Sequence, residues 1–391
     1  MPKGWSHNRL DSVCSKITDG AHHSPKSVDI GYPMYSVKDM SYSGFYENTA
    51  RLIDEVDYLS LVNQNCKPLI NDILIAKDGS ILKHCFVVKE NVEGVILSSI
   101  ALLRPKLEKI YPEYIAQYFS QEWVKSFVVR ALTSGSGVPR IILKDFKSIK
   151  IPLPPLPEQQ KIAKILSTWD KAISTTECLI DNSTQQKKAL MQQLLTGKKR
   201  LLDDEGKRFD KKWERIELGK LLDYKQPTPY LVKSTDYSDE YPTPVLTAGK
   251  TFILGYTDEE FGIFSEDLPT IIFDDFTTAS KFVDFPFKAK SSAMKMLVAK
   301  DGVSIKYIFE VMQALSYAIG GHQRHWISIF ANIVIGLPCL EEQQKITAVS
   351  NNADKEIELL EQQLADLQQE KKALMQVLLT GKKRVRINDR T

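Results

Sequence analysis

The 391-residue chain is poor in the features that mark several large classes of protein. It has no run of eighteen or more apolar residues, which excludes a membrane-spanning helix. Its opening MPKGWSHNRL lacks the apolar core of a secretory signal, so a cytoplasmic location is expected and membrane partners are not. Only five cysteines occur, Cys14, Cys66, Cys85, Cys178 and Cys339; they are scattered, with no CxxC pair, so the spacing favours neither a disulfide framework nor a zinc site. A phosphate-cradling GxxxxGK(S/T) loop is missing, as are an (N/D)PP(Y/F) base pocket and a glycine-rich cofactor loop after a strand. An ATP-driven translocase or a methyltransferase acting alone is therefore not expected, and no catalytic residue or cofactor is assigned. The histidines of His22-His23 and of His322, Gln323, Arg324 and His325 lack the cysteine or carboxylate neighbours of a metal site, so no metal is expected. Asp274-Asp275 has no ExK to complete a nuclease pair, and a structural role holding Thr277, Thr278 or Lys281 is expected instead. Charge is also in short supply: 52 basic against 49 acidic side chains is too even for nucleic-acid binding by charge alone. Any such function has to rest on architecture.

What the chain does have is a long helix written twice. Leu153 to Arg200 runs LPPLPEQQKIAKILSTWDKAISTTECLIDNSTQQKKALMQQLLTGKKR, and Leu337 to Arg384 repeats it at an offset of 184, Glu158 matching Glu342 and Arg200 matching Arg384 without a gap. Steps of four and three pick out Ile162, Leu166, Trp169, Ile173, Ile180, Leu190 and Leu194 in the first copy, with Thr176, Ser183 and Lys187 as polar interruptions. In the second they pick out Ile346, Ala353, Ile357, Leu360, Leu364, Leu367, Leu374 and Leu378, interrupted by Ser350 and Lys371. A stripe repeating every 3.5 residues is a coiled-coil seam and needs a partner helix, for which the other copy is the nearest choice. Pro154, Pro155 and Pro157 block helix before the first copy, Glu158 puts negative charge on its first turn, and Gly197 and Gly381, each followed by Lys-Lys-Arg, stop the two helices with cations at the negative pole. At 1.5 Å per residue each helix would be roughly 58 Å long, enough to hold two domains apart.

In chain order, residues 1–152 form a first globular region, 153–200 the first long helix, 201–212 a charged linker without periodicity, 213–336 a second globular region, 337–384 the second long helix and 385–391 a tail. The first region alternates strand-like runs (YPMYSVKDM, NDILIAKDGSILKHCFVV, GVILSSIALLRP) with turns, with a hairpin expected at Asp78-Gly79 and an amphipathic helix over Tyr114–Leu132. The second has strand runs of the same kind and a helix over Ser304–Ile319. Trp213 to Leu218 echoes Trp5 to Leu10 at an offset of 208 while the helices repeat at 184, so between these landmarks the second region is about 24 residues shorter than the first. An α+β fold built as a duplicated pair follows.

The loops hold the candidate contacts. Ser136 in the SGSG turn, with Arg140 and Lys144 after it, supplies small donors beside cations that could grip a phosphate backbone; a solvated loop fits the same residues. Further candidates for DNA contact in the first region are His22, His23, Lys26, Lys38, Lys77 and Lys83, and in the second Lys250, Thr277, Thr278, Lys281, Lys288, Lys290, Gln323 and Arg324. Gln and Arg can each make paired bonds to adenine and guanine edges.

With the IPLPPLPEQQKIAKIL and GLPCLEEQQKI leads into the helices, the two LLTGKKR exits, and ITDGAHHSPK and SGSGVPRIILKDF in the first region, the chain resembles the specificity subunits of type I restriction-modification enzymes over nearly its whole length. It departs from its own repeat where Cys339 and Glu341 replace Pro155 and Pro157. The resemblance implies two α/β target recognition domains, each reading one half of a bipartite asymmetric sequence in double-stranded DNA, separated by two long antiparallel coiled-coil helices in a pseudo-twofold repeat. It further implies docking of two modification subunits that carry the adenine methyltransferase activity, joined by restriction (translocase/endonuclease) subunits, and no catalysis by this chain itself. A coiled-coil adaptor with two protein-binding domains would use the same duplicated scaffold.

Overall fold

The computed structural model describes residues 2–134, 139–249, 251–315 and 325–387. The chain forms two compact units, the first made of Met1–Thr176 with Gln363–Thr391 and the second of Glu177–Gln362. Each long helix thus gives part of its length to each unit.

In the first unit, strand Ser6–Arg9 pairs antiparallel with Lys150–Leu153 and ties the start of the globular region to the foot of the long helix. Next come β1 (Cys14–Asp19), β2 (Ile73–Ala76), β3 (Cys85–Val87) and β4 (Ile100–Pro105), an antiparallel sheet in the order β1-β4-β2-β3. The apolar runs ILIA and IALL do not alternate with polar residues because both faces of this sheet are covered. Ile73, Ile75, Ala101 and Leu103 face the helix-side core, while Leu74, Ala76, Ile100 and Leu102 face a second core. A three-stranded sheet follows on that side, Tyr32–Tyr35 lying between Arg51–Ile53 (antiparallel) and Val95–Ile96 (parallel).

The helix expected over Tyr114–Leu132 is broken in two, α1 (Pro112–Phe119) and α2 (Glu122–Leu132). Gln121 is extended between them; its side chain donates to the Tyr118 carbonyl (3.3 Å) and accepts from Trp123 Nε1 (3.0 Å), replacing the lost helical bonds. The break lets both Phe119 and Val124 reach the core. The first long helix, α3, spans Leu156–Leu195.

The second unit repeats this plan. Glu214–Glu217 pairs with Val334–Leu337, and β5 (Leu222–Lys225), β6 (Thr270–Asp274), β7 (Ser280–Val283) and β8 (Met294–Ala299) form an antiparallel sheet in the order β5-β8-β6-β7. Its three-stranded sheet again combines one antiparallel and one parallel pair around Thr243–Leu246. Helix α4 spans Ile305–Ala314 and the second long helix, α5, Leu340–Leu378; the far end of the expected Ser304–Ile319 helix lies outside the described residues.

The repeated EQQ and GKKR motifs prove to be one structural device. In the first unit the Glu158 carboxylate is buried and accepts from Arg384 Nε (2.6 Å), Arg384 Nη2 (2.7 Å) and Trp5 Nε1 (3.2 Å). In the second, Glu342 accepts from Arg200 Nε (2.6 Å), Arg200 Nη2 (2.7 Å) and Trp213 Nε1 (3.0 Å). The paired bond to Glu342 holds the Arg200 guanidinium above its ordinary value, against the opposing effect of burial. Next to each carboxylate a buried glutamine ties the helix to its own globular region. Gln159 accepts from the Tyr111 amide (2.9 Å) and donates to the Lys109 and Pro154 carbonyls, while Gln343 accepts from the Ser304 amide (2.8 Å) and donates to those of Gly302 and Pro338. Gly197 and Gly381 stand at φ +70° and +72°, and a Cβ on Gly381 would come within 2.3 Å of Pro2, so glycine is needed there twice over.

Further along, the polar interruptions of the stripe are paired: Lys371 bonds Asp170 in the first unit and Lys187 bonds Asp354 in the second. Within each unit the partner's number falls as the helix residue's rises, from Glu158–Arg384 to Asp170–Lys371 and from Glu342–Arg200 to Asp354–Lys187. The helix segments therefore run antiparallel. Ile162, Leu166 and Leu378 are buried in the first unit's core, and Leu194 and Ile346 in the second's, each contributing about 1.5–3 kcal/mol. Trp169, Ile173, Ile180, Leu190, Ala353, Ile357, Leu360, Leu364, Leu367 and Leu374 are half-buried.

All five cysteines are free, and burial pushes the thiols of Cys14 and Cys85 up to about 12. No helix among the described residues is long and apolar enough to cross a membrane.

Candidate nucleic-acid interface

In both units one hairpin tip gathers the chemistry. In the first, the hairpin expected at Asp78-Gly79 joins β2 to β3, and the segment before the long helix is laid along its tip: the Gly79 amide donates to the Pro139 carbonyl (2.8 Å) and the Ile141 amide to that of Lys77 (3.1 Å). Strand β1 ends beside them at Asp19. Five side chains then form a continuous line. His22 Nε2 lies 3.1 Å from Asp19 Oδ1, Asp19 Oδ2 lies 3.4 Å from Lys77 Nζ, Lys77 Nζ lies 3.2 Å from Asp78 Oδ1, and Asp78 Oδ2 lies 3.3 Å from Arg140 Nε. The middle is buried, with the Lys77 side chain 5% exposed; the ends are open, His22 at 76% and Arg140 at 63%. A lysine enclosed by two carboxylates spends its charge internally. Lys77 is thus the hub of the line rather than one of its open donors.

The second unit's equivalent hairpin, between β6 and β7, is built differently. Asp274 Oδ1 accepts from the amides of Phe276 (2.9 Å) and Thr277 (2.8 Å), and the Thr278 amide bonds the Asp274 carbonyl (3.0 Å) with Thr278 at φ +60°. The neighbouring Asp275 is buried; it accepts from the Trp326 amide (2.9 Å) and lies 3.9 Å from Lys295 Nζ, which also reaches Gln226 Oε1 at 3.3 Å. Phe276 and Thr277 stand exposed at the tip. A lysine forms the buried hub of one tip and an aspartate that of the other, so two equivalent frames present different chemistry.

The remaining candidates are dispersed. His23, Lys26, Lys38, Lys83, Lys144 and Lys281 are exposed. Lys288 is wholly buried, pairing with Glu259 (2.9 Å) and the Phe261 carbonyl. Burial opposes ionisation of Glu259, yet the Ser234 amide, Lys288 and the Lys233 amide together hold its carboxyl below the usual range. Lys290 bonds the Tyr237 hydroxyl at 2.9 Å. Ser136, Lys250, Gln323 and Arg324, with His322, lie outside the described residues. Among the described residues no group of three or more histidine, cysteine, aspartate or glutamate side chains could hold a metal ion.

Sequence reasoning passed over Asp19 and Lys295. The acid three residues ahead of His22 in ITDGAHH was a usable signal for Asp19. Nothing local in the sequence linked Lys295 to Asp275.

Residues 2–182 match the family described as type I restriction modification DNA specificity domain. The chain is 50% identical over 143 residues to the EcoR124I/EcoR124II specificity subunit of Escherichia coli, a match that spans 35% of this chain and 35% of that subunit. It is 27% identical over 424 residues to the putative MjaX specificity subunit of Methanocaldococcus jannaschii, covering 99% of this chain and 95% of the relative. In fold it is similar to the S subunit of a type I restriction-modification system from M. genitalium, with a TM-score of 0.63 at 15% identity over 98% of this chain and 97% of the other.

Proposed function

The chain belongs to the specificity subunits of type I restriction-modification enzymes, and from that premise we propose that its two units each read one half of a bipartite, asymmetric sequence in double-stranded DNA. The carrying observation is the pair of equivalent hairpin tips with different chemistry, His22, Lys77 and Arg140 at one and Phe276, Thr277 and Thr278 at the other. A duplicated frame with unlike tips is what an asymmetric two-part target requires. His23, Lys26, Lys83, Lys144 and Lys281 are exposed cations or donors available for phosphate contacts, which position a duplex without reading it. Lys77 and Lys288 act from inside their units. The paired long helices serve as the platform on which two modification (methyltransferase) subunits dock and restriction subunits join. The chain itself carries out no chemistry.

Binding to a duplex library, measured at two salt concentrations, tests the reading. Affinity should fall steeply with salt through phosphate contacts while preference for one bipartite sequence persists. Binding that is equal for all sequences, in the assembled complex, would contradict it.

A further inference from the structure

We propose that Arg140 reads a guanine in the half-site of the first unit, with Asp78 as its positioning residue. The proposal rests on the DNA-reading assignment above and adds to it a residue and a base. Arg140 is fixed at the backbone by the bonds on either side of it, from Gly79 to Pro139 and from Ile141 to Lys77, and it pairs with Asp78 across an antiparallel bridge. Its side chain is 63% exposed and engages Asp78 through Nε at 3.3 Å. Among the described residues none of its guanidinium N–H groups carries a hydrogen bond, the link to Asp78 being an ion pair. An exposed guanidinium held beside Asp78 by this ion pair keeps two parallel N–H donors free, and these match the O6 and N7 acceptors of guanine in the major groove.

The support behind Arg140 is what separates base reading from a phosphate contact. Asp78 is fixed by Lys77, and Lys77 by Asp19, so the carboxylate that orients the arginine is itself immobile. An arginine already neutralised by an aspartate gains less from a phosphate field than a free cation, yet keeps its N–H donors available to a base edge. Pre-orientation also lowers the side-chain entropy lost on binding. The second unit's tip presents Phe276, Thr277 and Thr278 instead, so the effect is confined to one half-site.

The test uses the complete methyltransferase complex on a random-sequence duplex library, with methylated adenines sequenced. The first unit's half-site is the half left unchanged when residues 213–335 are exchanged for those of another such subunit. Arg140→Ala should lower methylation of the parent sites about five- to one-hundred-fold and remove the requirement for guanine at one position of that half. Asp78→Asn should weaken discrimination at the same position and nowhere else, a change that a merely structural aspartate would not produce. Arg140→Lys should fail to restore the guanine, since an ammonium cannot present two parallel donors. Thermal melting of Arg140→Ala should match the parent, and Arg140→Lys serves as the second variant. A parent motif without guanine in that half overturns the proposal. So does a uniform loss across all sequences that Arg140→Lys repairs, which would make Arg140 a phosphate contact. A parent complex that methylates no bipartite site would instead sink the DNA-reading assignment itself.

Discussion

Replacing Arg200 by alanine removes the guanidinium that clamps the second unit's long-helix segments together. Glu342 is 1% exposed in its side chain and Arg200 16%, and the two share bonds of 2.6 and 2.7 Å. Breaking a buried pair by removing one partner costs ~3–5 kcal/mol, because a charge is left without compensation. Here the Trp213 indole still donates to Glu342 at 3.0 Å, which places the expected cost at the lower end, about 3 kcal/mol. At tenfold per 1.4 kcal/mol, amide exchange limited by local opening should accelerate roughly a hundredfold. Hydrogen-exchange mass spectrometry reads this by segment. Peptides over residues 197–215 and 340–346 should speed up, while residues 156–162 and 380–385, around the intact Glu158–Arg384 clamp, should not. Removing both charges with Arg200→Ala and Glu342→Ala should recover part of the loss, since no orphan charge remains. A change below about threefold, the ~0.6 kcal/mol of an ordinary surface pair, would refute the clamp.

Three further outcomes are expected. Lys187→Ala and Lys371→Ala, whose partners Asp354 and Asp170 are nearly half-exposed, should each cost less than ~1 kcal/mol in urea unfolding, well below Arg200→Ala. Glu259 titrates below its ordinary 4.5 in the folded chain, so the stability it contributes is full above that value and lost as pH falls through the lower folded one. An acid titration followed by circular dichroism should show a loss below about pH 4.5 that Glu259→Gln flattens. The purified chain should transfer no methyl groups from S-adenosylmethionine to DNA until the modification subunit is added; transfer by the chain alone, free of that subunit, would contradict the reading.

The long helices were legible because their information is local: a seven-residue stripe, prolines before and glycine after. The meaning of Glu158 and Arg200 was not. Sequence reasoning assigned them to the first-turn charge and the helix stop of one helix, whereas Glu158 closes on Arg384 and Arg200 on Glu342, partners supplied by the other copy. The break at Gln121 was hidden because α1 and α2 continue one apolar pattern across a residue whose side chain replaces helical bonds. At the tips, cations were easy to nominate and hard to sort. Lys77 and Arg140 look alike in sequence, and only the placement of Asp19 and Asp78 makes one a buried hub and the other an open donor. The same holds for Lys288, which belongs to Glu259.

The central claim, that each unit reads its own half of the target, is tested most directly by exchanging residues 213–335 for the same segment of a specificity subunit with another target and sequencing the methylated adenines of cells carrying the complete methyltransferase. One half of the methylated sequence should change to that of the donor while the other half persists. A folded, assembled and active complex in which both halves change, or neither does, would contradict it.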